Sequence, residues 1–300
     1  MLLSKSINKI FRTTLIVFLI LTAFTLISFN KEKVFQVNME MTTVEEIPKT
    51  EIYLLSNDEY LVEANIYLEN KTIEEKVKKI IEFLKEGNNK IPKGLNGYLI
   101  NNIKVNKIIY EDNNLKLDFS KEFLNIDNID LAITGVVYSL LKIPDIETVE
   151  IFVENNYLEN YNYKLNSSIG INKKYLLKDR NDIKKVTVYY YNEIDNVEYL
   201  TPVTKYVNDE REKVEIIIEE LSNNVPDNLI GYLSEKTKLI NYKVDNELIL
   251  LNFDKGFKSL NSEINNKIMN LIAESIFENL DIKTVFFQEN SEKIEYIKKN

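Results

Sequence analysis

The sequence predicts an α+β protein, an N-terminal transmembrane helix followed by two tandem β-β-α-β-β-α-β domains. Three observations predict it. Landmarks recur at one offset: Gly97-Tyr98-Leu99 returns as Gly231-Tyr232-Leu233 and Phe123 as Phe257, each 134 residues on (231 − 97, 257 − 123). Thr148-Val149 returns as Thr284-Val285 after 136 (284 − 148). A period this long describes two folded copies rather than the short units of a solenoid. Within each copy, short apolar runs alternate with stretches whose apolar residues keep a helical period, an order that packs helices on one sheet. Finally, Thr13 to Phe29 carries no charge.

That uncharged run spans about 25 Å as a helix, workable for a bilayer with flanking residues drawn in. Lys5, Lys9 and Arg12 before it favour a cytoplasmic N-terminus (1–12) and place the remainder outside. A cleaved signal peptide is the alternative; the missing A-x-A site favours an uncleaved anchor at 13–29. Residues 30–49 read as a polar spacer, 50–157 as the first domain, 158–184 as a linker and 185–297 as the second domain.

The first copy opens with strands at Glu51 to Leu55 and Tyr60 to Ile66. A helix follows, with Ile73, Val77, Ile80, Ile81 and Leu84 on one face, a Thr72/Glu75 capping box, and Gly87 at its end. Strands at Val105 to Tyr110 and Leu115 to Phe119 flank the turn EDNN. The second helix covers Asn128 to Leu141 before Pro144, and a strand from Val149 to Val153 closes the unit. The second copy repeats the order through VTVYYY, EYLTPVT, a helix around Val214 to Leu221 with an Asp209/Glu212 box, LILLNF, a helix around Ile264 to Ile276, and TVFFQ.

Composition excludes several chemistries. With 44% apolar and 28% charged residues the chain is globular, and a net charge of −9 argues against a nucleic-acid partner. There is no His and no Cys, so the commonest base near neutral pH, thiol nucleophiles, disulfides and zinc–thiolate sites are absent. Seven glycines form neither GxGxxG nor a P-loop, and no calcium loop is present; no cofactor or metal is expected.

The candidate acids are Asp118 and Asp254, with Asp127 and Asp130 nearby. In the aligned copies Asp118 faces Asn252 and Ser120 faces Asp254, so neither acid has an acidic counterpart. Such strand-terminal residues bond nearby backbone and start turns, whereas a glycosidase needs two carboxylates at a set separation. Tyr189, Tyr190 and Tyr191 alternate across a strand and read as core and edge packing, with a sugar-binding surface as the alternative. Asn70 and Asn166 head glycosylation sequons of the kind an Asn-rich chain produces by chance. Six basic and two acidic residues lie between Lys173 and Lys185, making Lys173, Lys174, Lys178 and Arg180 the candidate interface within a solvated connector.

An apolar strand, a PVT segment, a helix and KTKLINYKVDNELILLNFDKGF together resemble the GerMN domain of bacterial sporulation and spore germination proteins. The register runs through Thr237, Lys238, Leu239, Val244, Leu251, Asn252, Phe253, Asp254 and Phe257. In the first copy it runs through Val105, Leu117, Asp118, Phe119, Ser120 and Phe123. The resemblance implies a fold similar to the ring-building motif and domains attached to the membrane outside the cytoplasm. It also implies no known catalytic residues, and a role in assembling or localising an envelope complex between mother cell and forespore. Partners would then be the membrane and envelope or sporulation-complex proteins. Two departures stand out. There is no Cys to lipidate, which leaves anchoring to the helix, and the hairpin glycine is replaced by Asn246 and by Asn113 or Asn114, residues that tolerate the left-handed region. A ligand-binding sensor module and a wall hydrolase with paired acids are the other two readings.

Overall fold

The computed structural model describes residues 49–68, 72–175, 183–258 and 261–299. The expected tail, transmembrane run and nearly all of the spacer lie outside these residues, as do Asn70, Lys178 and Arg180. Among the described residues no helix is long and apolar enough to cross a membrane.

The first half runs β1 (Lys49–Ser56), β2 (Leu61–Tyr67), α1 (Ile73–Phe83), β3 (Leu95–Asn96), β4 (Val105–Glu111) and β5 (Asn114–Phe119). It continues through α2 (Ile129–Leu140), β6 (Thr148–Val153) and β7 (Asn156–Tyr157). After β8 (Lys174–Tyr175) come β9 (Ile183–Ile194), β10 (Val197–Asn208), α3 (Lys213–Asn223), β11 (Leu239–Asp245) and β12 (Leu248–Phe253). The chain ends through α4 (Ser262–Asn279), β13 (Thr284–Glu289) and β14 (Glu292–Lys298).

The strands of each half divide between two sheets, a correction to the single sheet expected. One has the order β4-β5-β6-β7 in the first half and β11-β12-β13-β14 in the second. Its central pairs are parallel, β5 with β6 and β12 with β13, so α2 and α4 are the crossover helices. The opening hairpins form separate sheets, β2-β1-β3 and β8-β10-β9. The free edge of β1 is taken by β3 through Leu55 and Leu95–Asn96, and Tyr191 of β9 pairs with Ile230 in the same way. β14 was not expected; it forms by pairing along β13.

Local chemistry sets the element ends. The Thr72 hydroxyl accepts from the Glu75 N–H at 3.3 Å and the Glu75 carboxylate accepts from the Thr72 N–H at 3.2 Å, the expected box on α1. The expected Asp209/Glu212 box does not form. Its Asp209 carboxylate is held by the backbone N–H and guanidinium of Arg211, and Glu215 takes the Glu212 N–H at 3.2 Å, one turn later. The β4–β5 turn uses Asp112 and Asn113 at φ 49° and 58°, and the β11–β12 turn uses Asn246 at φ 53°. Asn114 instead lies buried in β5, donating to Glu150 at 2.6 Å.

The recurring landmarks do equivalent work in both halves. Phe123 stacks on Phe119 with centroids 4.5 Å apart, and Phe257 on Phe253 at 4.2 Å. The Tyr53 N–H donates to Ser139 Oγ on α2, and the Tyr189 N–H to Ser275 Oγ on α4, both at 2.9 Å. Gly97 and Gly231 lie against a helix end, where a Cβ would stand 2.1 Å from the Lys85 carbonyl oxygen and 2.5 Å from that of Leu221.

Both halves belong to one unit, Ile47–Asn300, and their contacts are reciprocal. The Tyr60 hydroxyl donates to the Asp227 carbonyl at 3.4 Å, while Asp195 in the β9–β10 turn pairs with Lys93 at 3.1 Å. Residues 158–175 of the expected solvated linker are partly core: Leu165 and Ile171 are fully buried. Asn172 ties the halves together. Its amide exchanges hydrogen bonds with the Leu61 backbone on β2, at 2.9 and 2.8 Å, and donates to the Pro202 carbonyl on β10 at 2.8 Å.

Candidate functional site

The acids singled out in the sequence hold backbone. Asp118 Oδ1 accepts the Asn155 N–H at 2.7 Å, latching the β6–β7 turn to the strand beside it. Asn252 makes the same bond to the Ser291 N–H at 2.8 Å in the β13–β14 turn. An acceptor oxygen is what the position needs, and both residue types supply one. Ser120 Oγ and Asp254 Oδ1 likewise accept the Lys104 and Lys238 N–H groups at 3.1 and 3.2 Å. Only this second pair closes the hairpin; the first reaches a turn more than thirty residues away, where a nearby partner was expected. Among the described residues no group of three or more Asp or Glu side chains is placed to hold a metal ion.

Of the expected basic interface, Lys173 and Lys174 line an open cleft of about 450 Å³ beside α2. Asp58, Asp130 and Tyr60 share its wall, and Lys174 Nζ stands 5.5 Å from the Tyr60 ring centre. The cleft therefore mixes both signs of charge. Asn172, between these lysines and the core, fixes the segment that carries them.

The consecutive tyrosines are packing elements on two faces. Tyr190 is fully buried and donates to the Glu220 carbonyl at 3.3 Å; Tyr189 is buried on the opposite face, and Tyr191 is half-buried. Beneath Tyr190, the buried Lys205 ammonium pairs with Glu220 and donates to the Asn224 carbonyl. Burial depresses the Lys205 pKa, and the Glu220 contact opposes that fall.

A second polar cluster lies where α4 meets the first half. Lys142 Nζ binds Glu51 and Glu63, each at 2.7 Å, and the Tyr53 hydroxyl donates to Glu63 at 3.0 Å. Burial alone would lower the Lys142 pKa, but the two carboxylates reverse it and hold it above its ordinary value. From α4, Glu274 faces this group. Burial, reinforced by the charges of Glu63 and Glu51, pushes its carboxyl up to about 7. Burial also raises Glu63 and Glu278. Sequence reasoning missed this cluster, whose members are scattered through β1, β2, α4 and the turn after α2.

Comparison with known proteins is decisive for the first half: the family model Germane, described as sporulation and spore germination, matches residues 51–159. Residues 51–159 form a GerMN domain. "Spore germination protein GerM" of Bacillus subtilis (strain 168) is 27% identical over 262 residues, 80% of this chain and 71% of that one. The solved tandem GerMN domains of the sporulation protein GerM from Bacillus subtilis match with a TM-score of 0.74 at 24% identity, covering 84% of this chain and 97% of that one. The GerMN fold therefore extends through the second half, beyond the family model's last residue. In both halves the Asp118/Asn252 position latches a turn, and the Gly97/Gly231 position is where the chain crosses a helix end.

Proposed function

We propose that this chain is a non-enzymatic, membrane-anchored interaction protein of the cell envelope, acting outside the cytoplasm in sporulation or spore germination. It would help to assemble or localise an envelope complex there. The observation that carries the proposal is the tandem GerMN architecture shared with GerM over most of both chains. The engagement of Asp118 and Asp254 in backbone hydrogen bonds supports it, since acids used this way are not presented to a substrate. The uncharged run Thr13–Phe29 supports the anchor, and the lysines of the α2 cleft support a charge-guided partner surface.

The test is complementation of a null strain, with protein level and membrane fractionation checked by blot. Reversing Lys173 and Lys174 to Glu, together with Lys178 and Arg180, should reduce spore yield or germination while the protein stays at its normal level. Asp118→Asn with Asp254→Asn should complement. A stable, correctly located but inactive double Asp variant would overturn the proposal in favour of an enzyme.

A further inference from the structure

The GYL triad is identical in the two halves, yet its tyrosine does opposite things. In the first half Tyr98 is 6% exposed and its ring end lies over Gly135 of α2, at a spot where a Cβ would stand 2.2 Å from the hydroxyl. The serines bound to Tyr53 and Tyr189 align the helices at an offset of 136 (275 − 139), which puts Leu271 where Gly135 stands. Leu271 is fully buried and fills the slot. Tyr232 is displaced to the edge of the core, where it is half-buried, with its backbone in the left-handed region at φ 58°, unusual for an aromatic residue.

The displaced ring helps to build a constellation absent from the first half. Its hydroxyl donates to Glu198, and Glu198 pairs with Lys267 at 2.8 Å. The Lys267 ammonium lies 5.3 Å from the Tyr232 ring centre, and Tyr191 meets Tyr232 edge-on at 6.0 Å. Asn270 donates to the Tyr191 hydroxyl at 3.3 Å. Beside this group runs an open groove of about 430 Å³, walled by Tyr191, Asn266, Lys267, Met269, Asn270 and Ile297. The positions of Tyr191, Lys267 and Asn270 correspond at the same offset to Leu55, Leu131 and Thr134.

We propose that this groove binds a neutral N-acetylated sugar, such as a segment of an N-acetylhexosamine chain. An aromatic wall suits the C–H face of a pyranose, and side-chain amides can pair with its hydroxyls or its acetamido group. Ile297, half-buried in the groove wall, offers apolar surface for the acetyl methyl. Charge excludes the acidic alternatives: Lys267 is already shared between Glu198 and Glu263, and Glu295, which also lines the groove, adds a further negative charge. A phosphate or uronate would meet a net negative rim.

The experiment is calorimetric titration of the full chain in detergent with N,N′,N″-triacetylchitotriose, with cellotriose and inorganic phosphate as comparison ligands. Saturable binding of the acetylated trimer is expected, with cellotriose about tenfold weaker and phosphate silent. Tyr191→Leu and Asn270→Thr import the first half's own residues and should each weaken binding about tenfold. Their thermal melts report folding, and Asn270→Thr, at a half-exposed position, keeps the test open should Tyr191→Leu unfold. Absence of binding at millimolar trimer, equal binding of cellotriose, or unchanged binding in a folded variant overturns the proposal.

Discussion

The two halves keep their hydrogen-bonding functions while changing residues, and at one kept residue, the tyrosine of the GYL triad, they change the packing. Asp118 and Asn252 differ by a charge yet accept the same turn N–H; Ser120 and Asp254 differ in size yet accept the same hairpin N–H. Tyr98 and Tyr232 are the same residue in the same triad, but one is buried in the core and the other is half-buried at its edge. A backbone N–H asks only for an oxygen at the right place, so several side chains satisfy it. A core slot asks for a volume, and Leu271 in place of a glycine leaves no room for the ring.

The sharpest way to break the comparison is at the glycines both halves share. Gly97→Ala places a Cβ 2.1 Å from a backbone oxygen and should destabilise by roughly 3 kcal/mol or more, enough to threaten folding. Gly231→Ala meets its nearest oxygen at 2.5 Å and a Val225 methyl at 2.8 Å, so its loss should be smaller. Urea titration of the two variants checks the order; equal losses, or a larger loss at Gly231, would mean that the approach to the helix-end carbonyl does not set the cost.

Next in size is a titration centred on a carboxylate that only the second half carries at its position. Glu274 occupies the position of Tyr138 in α2, at the offset of 136 (274 − 138). Its folded pKa of about 7 lies above the ordinary carboxyl value of 4.5, so between those values the folded protein holds a proton that the unfolded chain has lost. Stability therefore falls as pH rises through this window, and the loss is complete above 7. After discounting for partial exposure it amounts to about 1–3 kcal/mol. Glu63 and Glu278 act in the same direction, while Glu51, Lys142, Lys185 and Lys299 set the local field. Thermal melts from pH 5 to pH 8.5 should show the decline, and Glu274→Gln should flatten it. A variant with the parent's slope would remove Glu274 from the cluster.

Much of the fold was legible because each copy repeats local patterns. The helix faces, the Thr72/Glu75 box and the paired phenylalanines all rest on spacing within a few residues. Non-local choices were not legible. The division into two sheets depends on β3 occupying the edge of β1, and β14 is a strand only because β13 offers it an edge. The groove beside α4 was hidden for a similar reason: the GYL repeat advertises sameness, and only aligning Gly135 with Leu271 reveals the displaced tyrosine. Lys173 and Lys174 were found by charge, but their cleft depends on Asn172 clamping the strands β2 and β10.

The serine latches come next. Ser139→Ala and Ser275→Ala each leave a buried backbone N–H, of Tyr53 and Tyr189, without its acceptor. Each should lose about 1–2 kcal/mol, and by the same amount within error, because the geometry is the same at 2.9 Å in both halves. A loss in one half alone, in urea titrations run side by side, would show that the duplicated bond does duplicated work in only one of them.

The smallest effect is expected where the halves have already run the experiment. Asp118→Asn imports the residue that stands at Asn252, and the amide oxygen can accept the Asn155 N–H as Asn252 accepts that of Ser291. The change should stay within about 0.5 kcal/mol, because an acceptor replaces an acceptor in nearly the same volume. Asp118→Ala removes the acceptor from a position only 6% exposed and should lose about 1–3 kcal/mol. The contrast between the two substitutions is the measurement. If Asn and Ala destabilise alike, the charge of Asp118, rather than its oxygen, holds the β6–β7 turn, and the equivalence of the two latches fails. If Asn is silent and Ala is not, the turn needs only an oxygen, and the acid that first invited a catalytic reading is accounted for by the backbone it holds.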